Sequence, residues 1–362
     1  MSQSREVAAD RREATGLRLS RAAVPLICLA QLMAALDVTI VNLSLPTVQN
    51  AVGLSNAGLA WVVDADTLAY GGLLLVGGRA GDLLGHRRTL MAGIALFTVA
   101  SAVAGLAGGP EVLLAARAAQ GVGAALATPT TLSLITTLVP AGVRRTRAMV
   151  AYGSMAGVGI TLGLVLGGLL TEYLSWRWVF LVNIPLGIVV LVAAPRVLPD
   201  TRGRRRRLDV VGALLGTGAL TLLVYAVIEA GARGWGDGVS TASFAAAAVL
   251  LVAFALVESR VPEPTLPLRL LRHRVRIGAY LVGGLLFASL YPAFFLLSRT
   301  LQDLQGLSAV DAGLRFLPIG AGVLAFALAT RRLSLTGTPF RSVATPIPFV
   351  RDAEEPDGTR RT

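Results

Sequence analysis

Between residues 22 and 329 the chain is cut into ten apolar runs, each about as long as a bilayer is thick. A hydrocarbon core of about 30 Å takes roughly 20 helical residues. Within it every backbone N–H and C=O must find a partner inside its own segment, which leaves helices as the only open-chain solution. The runs read as membrane helices over 22–45, 57–77, 89–107, 111–136, 148–172, 178–194, 209–230, 241–258, 276–297 and 311–329. The fold class that follows is an all-α polytopic membrane protein.

The segments between the runs set the orientation. All 33 basic residues are arginine, and the formal charge is +12. Nucleic acid would be one explanation of that charge, but the arginines fall in alternate loops. Arg5, Arg11, Arg12, Arg18 and Arg21 precede the first run, and the loop over 46–55 has none. Arg79, Arg87 and Arg88 follow, then a bare loop over 108–110, then Arg144, Arg145 and Arg147. The pattern continues through the dense stretch Arg202, Arg204, Arg205, Arg206 and Arg207 to Arg331 and Arg332. By the positive-inside rule both termini face the cytoplasm, in a cytoplasmic membrane. The basic loops are then topology signals and contacts for lipid headgroups, and no nucleic-acid partner is expected. The polar N-terminus, 1–21, has no cleavage-site pattern and leads into a full-length span, so it is not a signal peptide.

Against this apolar background a few polar residues inside the spans stand out. A charged group in a membrane helix is costly and normally faces a partner or a cavity. Asp37 and Asn42 lie in the first run, Asp64 and Asp66 in the second, Arg117 and Gln120 in the fourth. At 1.5 Å per residue, Asp37, Asp64, Asp66 and Arg117 share one layer in the outer half of the membrane. Arg117 is expected to pair with Asp37 or Asp64 in one state and release it for protonation in another. Burial and a cationic neighbour act in opposite directions on a carboxyl group, and that opposition suits a proton switch. Asn42, Asp66 and Gln120 are candidates for lining a substrate cavity.

The fifth run carries glycine at every fourth position, Gly159, Gly163 and Gly167, with Gly153 and Gly157 one face over. In water each would cost roughly 1 kcal/mol against alanine; in a bilayer such a stripe lets a second helix approach closely. Between runs two and three, Gly78-Arg79-Ala80-Gly81-Asp82-Leu83-Leu84-Gly85-His86-Arg87-Arg88 reads as a tight cytoplasmic loop. In it Asp82 is placed to accept from the first amides of the third helix. Trp176 and Trp178 read as an interfacial belt. The single Cys28 and the two histidines, His86 and His273, offer no metal site, and no cofactor is expected.

These stretches resemble the fourteen-helix drug:proton antiporter branch of the major facilitator superfamily. Leu36-Asp37-Val38-Thr39-Ile40-Val41-Asn42 through Leu45-Pro46 is similar to its first-helix motif. Gly78, Asp82, Gly85, Arg87 and Arg88 fit the superfamily's loop signature, while Ala80, Leu83 and His86 depart from it. Arg117-Ala118-Ala119-Gln120-Gly121-Val122-Gly123 is similar to the fourth-helix motif. Gly159, Gly163, Gly167 and Gly168 match the antiporter motif, whose proline is replaced by Leu164, so the helix should kink less. Ser175-Trp176-Arg177-Trp178 through Asn183-Ile184-Pro185 also resembles this branch. The resemblance implies proton-coupled export of hydrophobic or cationic small molecules, a latching role for the 78–88 loop, and a link between Arg117 and proton transfer.

It also implies an organisation. An N-terminal tail over 1–21 leads into a six-helix bundle over 22–194, a basic linker over 195–208 and two additional helices over 209–258. Two helices of a second bundle over 259–330 and a polar tail over 331–362 complete it. The family's second bundle has six helices, so the chain reads as C-terminally truncated, which invites association with another membrane chain. The alternatives are a truncated fragment that does not transport and a transporter of another small metabolite. No nucleophile triad, metal-spaced cluster or phosphate loop points to an enzyme.

Overall fold

A computed structural model describes residues 2–200, 210–261 and 274–319, together with 321, 322 and 325. The described residues are helical throughout apart from short turns. The helices are α1 (Ser2–Val52), α2 (Asn56–Leu84), α3 (His86–Gly105), α4 (Pro110–Leu138) and α5 (Val143–Tyr173). They continue with α6 (Trp178–Leu181), α7 (Asn183–Val197), α8 (Val210–Arg233), α9 (Gly238–Arg260), α10 (Arg274–Arg299) and α11 (Ala309–Arg315). Seven segments of these helices are long and apolar enough to cross a membrane, with α6 and α7 together forming one of them. α2 is not among them, and α10 has an apolar stretch over Arg276–Leu286.

Local chemistry explains most of the boundaries. Ser55 caps α2 by accepting from the Gly58 amide at 3.1 Å. Asp237 caps α9 through Val239 and Ser240, and Pro110 opens α4 where its missing N–H costs nothing. Gly85, at φ 93°, is the single residue between α2 and α3. That backbone geometry is closed to most side chains.

Several expectations need correction. α1 begins at Ser2, so the segment read as a polar tail continues the first helix. α1 also runs through Pro46 to Val52, where a loop was expected. A membrane helix tolerates the lost N–H because side chains and small adjustments satisfy the freed backbone. The sixth span is broken at Val182 into a single turn and a longer helix. Within the tenth expected span, 311–329, α11 ends at Arg315 and Phe316 makes a turn; residues 317–319, 321, 322 and 325 are helical again, and the others lie outside the described residues. The stretches 201–209, 262–273 and 331–362 also lie outside them.

Packing joins α2 to α4, α3 to α4 and α1 to α5, with α7 against α1 and α3. The α8–α9 hairpin leans on α2, and α11 on α5. Bare backbone makes these approaches possible. A Cβ on Gly93 would lie 2.6 Å from the Gly123 carbonyl, and one on Gly123 would lie 2.7 Å from the Gly93 carbonyl. Two apolar cores result. One gathers Ile27, Met33, Leu90, Phe97, Leu134 and Val190. The other gathers Leu36, Ile40, Val62, Leu113, Trp176 and Phe180. On α1 the seam between them falls at Met33–Leu36, immediately before Asp37.

Candidate functional site

At that seam lies a buried polar cluster built from five helices. Arg117 of α4 is 1% exposed. Its Nη1 donates to Asp37 Oδ2 at 2.7 Å and to Gln120 Oε1 at 3.0 Å. Its Nε donates to the Val62 carbonyl of α2 at 2.8 Å, and its Nη2 lies 3.3 Å from Asp66 Oδ2. Gln120, one turn along α4, donates through Nε2 to Asp37 Oδ1 at 3.1 Å and to Ser101 Oγ of α3 at 2.8 Å. Asn183, the first residue of α7, donates to Asp37 Oδ1 at 2.7 Å.

Asp37 therefore accepts from three side chains on two other helices. A buried charge is tolerable only when paired and hydrogen-bonded, and both conditions hold here. Side-chain donors to charged groups are also the stronger kind. The break at Val182 starts a new helix at Asn183, whose amide then reaches Asp37.

The residues singled out from the sequence divide clearly. Asp37, Asp66, Arg117 and Gln120 come together. Asp64, expected as the alternative to Asp37 in pairing with Arg117, is half-buried and makes no ion pair with it. Asp66, assigned to a substrate cavity, is the second carboxylate on Arg117. Two residues apart on a helix point in nearly opposite directions, so only one of Asp64 and Asp66 can face α4. Asn42 donates to the Val38 carbonyl of its own helix at 2.7 Å. Ser101 and Asn183 were given no role, although a polar residue inside an apolar run was the available signal.

The glycine stripe braces this site. A Cβ on Gly159 would sit 2.6 Å from Ala35 Cβ, one on Gly163 2.8 Å from Thr39 Cβ, and one on Gly167 3.2 Å from the Ile40 carbonyl. These neighbours flank Asp37 on α1. Gly168 is buried as well, whereas Gly157 is half-buried and Gly153 is exposed with open space around it. α5 runs unbroken past Leu164, whose carbonyl would meet a Cβ on Gly313 of α11 at 2.6 Å. Ser44 and Thr171 hydroxyls, 2.7 Å apart, add a polar tie between α1 and α5.

The 78–88 stretch is not a loop. Gly78 and Asp82 belong to the end of α2, Gly85 makes the turn, and Arg87 and Arg88 open α3. Because Asp82 is still helical, it cannot cap α3, whose N-terminus has no side-chain cap; its carboxylate lies 3.9 Å from His86 Nε2. Arg87 donates to the Leu198 carbonyl beyond α7 at 3.2 Å. Both Arg87 and Arg88 reach Asp200 at 3.3 Å.

Trp176 and Trp178 do not form one belt. Trp176 is buried with its ring under Arg177 at 4.5 Å and edge-on to Phe180, while Trp178 is 46% exposed. Trp176 lies in the turn before α6, and Trp178 is its first residue. Among the described residues no group of three or more acidic, His or Cys side chains is placed to hold a metal ion.

Residues 27–347 match the family described as Major Facilitator Superfamily. The puromycin resistance protein pur8 of Streptomyces alboniger is 46% identical over 296 residues, 81% of this chain and 58% of that protein. The cephamycin export protein CmcT of Amycolatopsis lactamdurans is 43% identical over 303 residues, 82% of this chain and 62% of that protein. The uncharacterized MFS-type transporter EfpA of Mycobacterium tuberculosis is 40% identical over 303 residues, 81% of this chain and 56% of that protein. The chain thus spans less than two thirds of the length of each. Among solved structures, the proton:xylose symporter XylE has a TM-score of 0.58 at 16% identity, over 87% of this chain and 69% of that one. At that identity the likeness concerns the fold.

Proposed function

This chain belongs to the Major Facilitator Superfamily, and on that premise we propose that it serves export of hydrophobic or cationic small molecules in exchange for protons. The observation that carries the reading is the buried ion pair of Arg117 with Asp37, shared with Gln120 and Asn183 across three helices. A guanidinium and a carboxylate in a water-poor interior bind each other tightly only while the carboxylate is ionised. Protonating a carboxylate of this cluster weakens its hold on the arginine and lets the helices that carry the groups move apart. Relatives named for puromycin resistance and cephamycin export support the direction and the class of cargo. The alternation of arginine-rich and arginine-poor loops supports insertion in the cytoplasmic membrane with both termini inside.

Division into a six-helix bundle over 22–194 and later helices is part of the same reading. It supports movement of two halves about a midplane site, with the Arg87–Arg88–Asp200 contacts as a cytoplasmic brace on the first half.

The test uses everted membrane vesicles containing the full chain, with puromycin and ethidium as probes. An imposed pH gradient, acid inside, should drive uptake of at least one probe. Asp37→Asn should abolish that uptake while leaving the protein inserted. Gradient-driven uptake unchanged in Asp37→Asn refutes the switch. Inserted protein that moves neither probe supports the alternative of a non-transporting chain that associates with another membrane protein, or a different small metabolite as cargo.

A further inference from the structure

Charge in the cluster does not balance. Arg117 contributes one positive charge, and Asp37 and Asp66 contribute two negative charges when ionised. Asp37 is saturated: Oδ2 takes Arg117, and Oδ1 takes Gln120 and Asn183. Asp66 is not. It meets the guanidinium through Oδ2 alone, and its Oδ1 is buried with no hydrogen-bond partner among the described residues. A buried carboxylate oxygen left without a donor is costly, and a proton is the smallest ligand that relieves it.

Access separates the two carboxylates as well. The Asp66 side chain is 12% exposed, against 1% for Asp37, so Asp66 is the one more open to an incoming proton. The charges acting on it come from Arg117 of α4 and Asp37 of α1. Tyr70 lies one turn further along α2, within electrostatic reach. α3 contributes Ser101 to the cluster, which does not titrate. α8, which also packs on α2, carries Tyr225 and Glu229, and Glu229 is paired with Arg233.

We propose that Asp66 is the proton-binding member of the cluster, its Oδ1 taking one proton while Arg117 stays with Asp37. The step is a simple transfer. A hydronium ion gives its proton to the carboxylate, an O–H bond forms at Oδ1, and water is released. The cluster goes from one net negative charge to none. Asp37 then sets the position of Arg117, and Asp66 carries the exchangeable proton. The part this plays in transport rests on the proton-coupled reading above; the protonation itself does not.

The experiment needs no cargo. The purified full chain in lipid is taken stepwise from acid to alkaline pH, and the infrared C=O stretch of a protonated, poorly hydrated carboxylic acid is followed. Wild type should show such a band at acid pH and lose it as pH rises. Asp66→Asn should lack the band, whereas Asp64→Asn should keep it. Asp66→Glu, which retains a carboxyl group should the amide variant misfold, should keep the band at a shifted frequency. A band that persists unchanged in both Asp66 variants overturns the proposal, as does a wild type with no titrating band. Failure of the transport reading looks different: Asp66→Asn loses the band, yet Asp37→Asn still moves probe with protons.

Discussion

Replacing Arg117 by leucine should damage this protein far more than the loss of one surface charge would. The guanidinium lies 2.7 Å from one carboxylate and 3.3 Å from the other, with all three side chains at most 12% exposed. At an effective dielectric of about 20, those separations correspond to attractions of about 6 and about 5 kcal/mol. Desolvation of three charged groups offsets much of this, at several kcal/mol per ion. The pair as a whole is therefore worth little net, but removing one partner leaves the desolvation cost standing. The expected loss is about 3–5 kcal/mol. Asp37→Leu combined with Arg117→Leu should recover part of it, because Asp37 is then no longer left unpaired, while Asp66 still lacks its cation. Arg117→Lys should recover less, since one ammonium cannot reach Val62, Asp37, Gln120 and Asp66 together. The assay is reversible unfolding of the purified protein in mixed micelles, with wild type, Arg117→Leu, Asp37→Leu and the double variant arranged as a double-mutant cycle. Arg117→Leu within about 1 kcal/mol of wild type, or strictly additive single effects, refutes the reasoning.

Asn183→Leu removes one of the three donors to Asp37 and should cost about 1–3 kcal/mol in the same unfolding assay. Gly163→Leu forces atoms into a space where a Cβ already meets Thr39 and the Leu36 carbonyl at 2.8 and 3.0 Å; about 1–3 kcal/mol of lost stability is expected. Gly153→Ala, with open space around it, should be neutral or gain up to about 1 kcal/mol, which the same titration would register. Gly85→Ala should cost about 1–3 kcal/mol because its φ of 93° suits glycine, measured as a shift of the unfolding midpoint. Asp200→Ala breaks only partly exposed pairs with Arg87 and Arg88, so about 0–1 kcal/mol is expected, and less at high salt.

The membrane class and the helical content were legible in the chain because bilayer thickness and backbone hydrogen bonding leave almost no alternative to runs of this length. Glycine at every fourth position in α5 announced a close helix contact, since nothing else offsets its cost. That a carboxylate inside α1 needs a cation also follows from chemistry alone. What the linear order could not settle was direction. Asp64 and Asp66 look alike in a sequence, and only the rotation of α2 against α4 turns Asp66 toward Arg117. Trp176 and Trp178 were separated in the same way, one into the core and one outward. Asn183 reaches Asp37 across 146 residues from the start of the helix that follows the break at Val182, a contact that linear order does not give. Periodicity fixes which residues share a face of one helix; which face meets which neighbour depends on how all the helices pack at once.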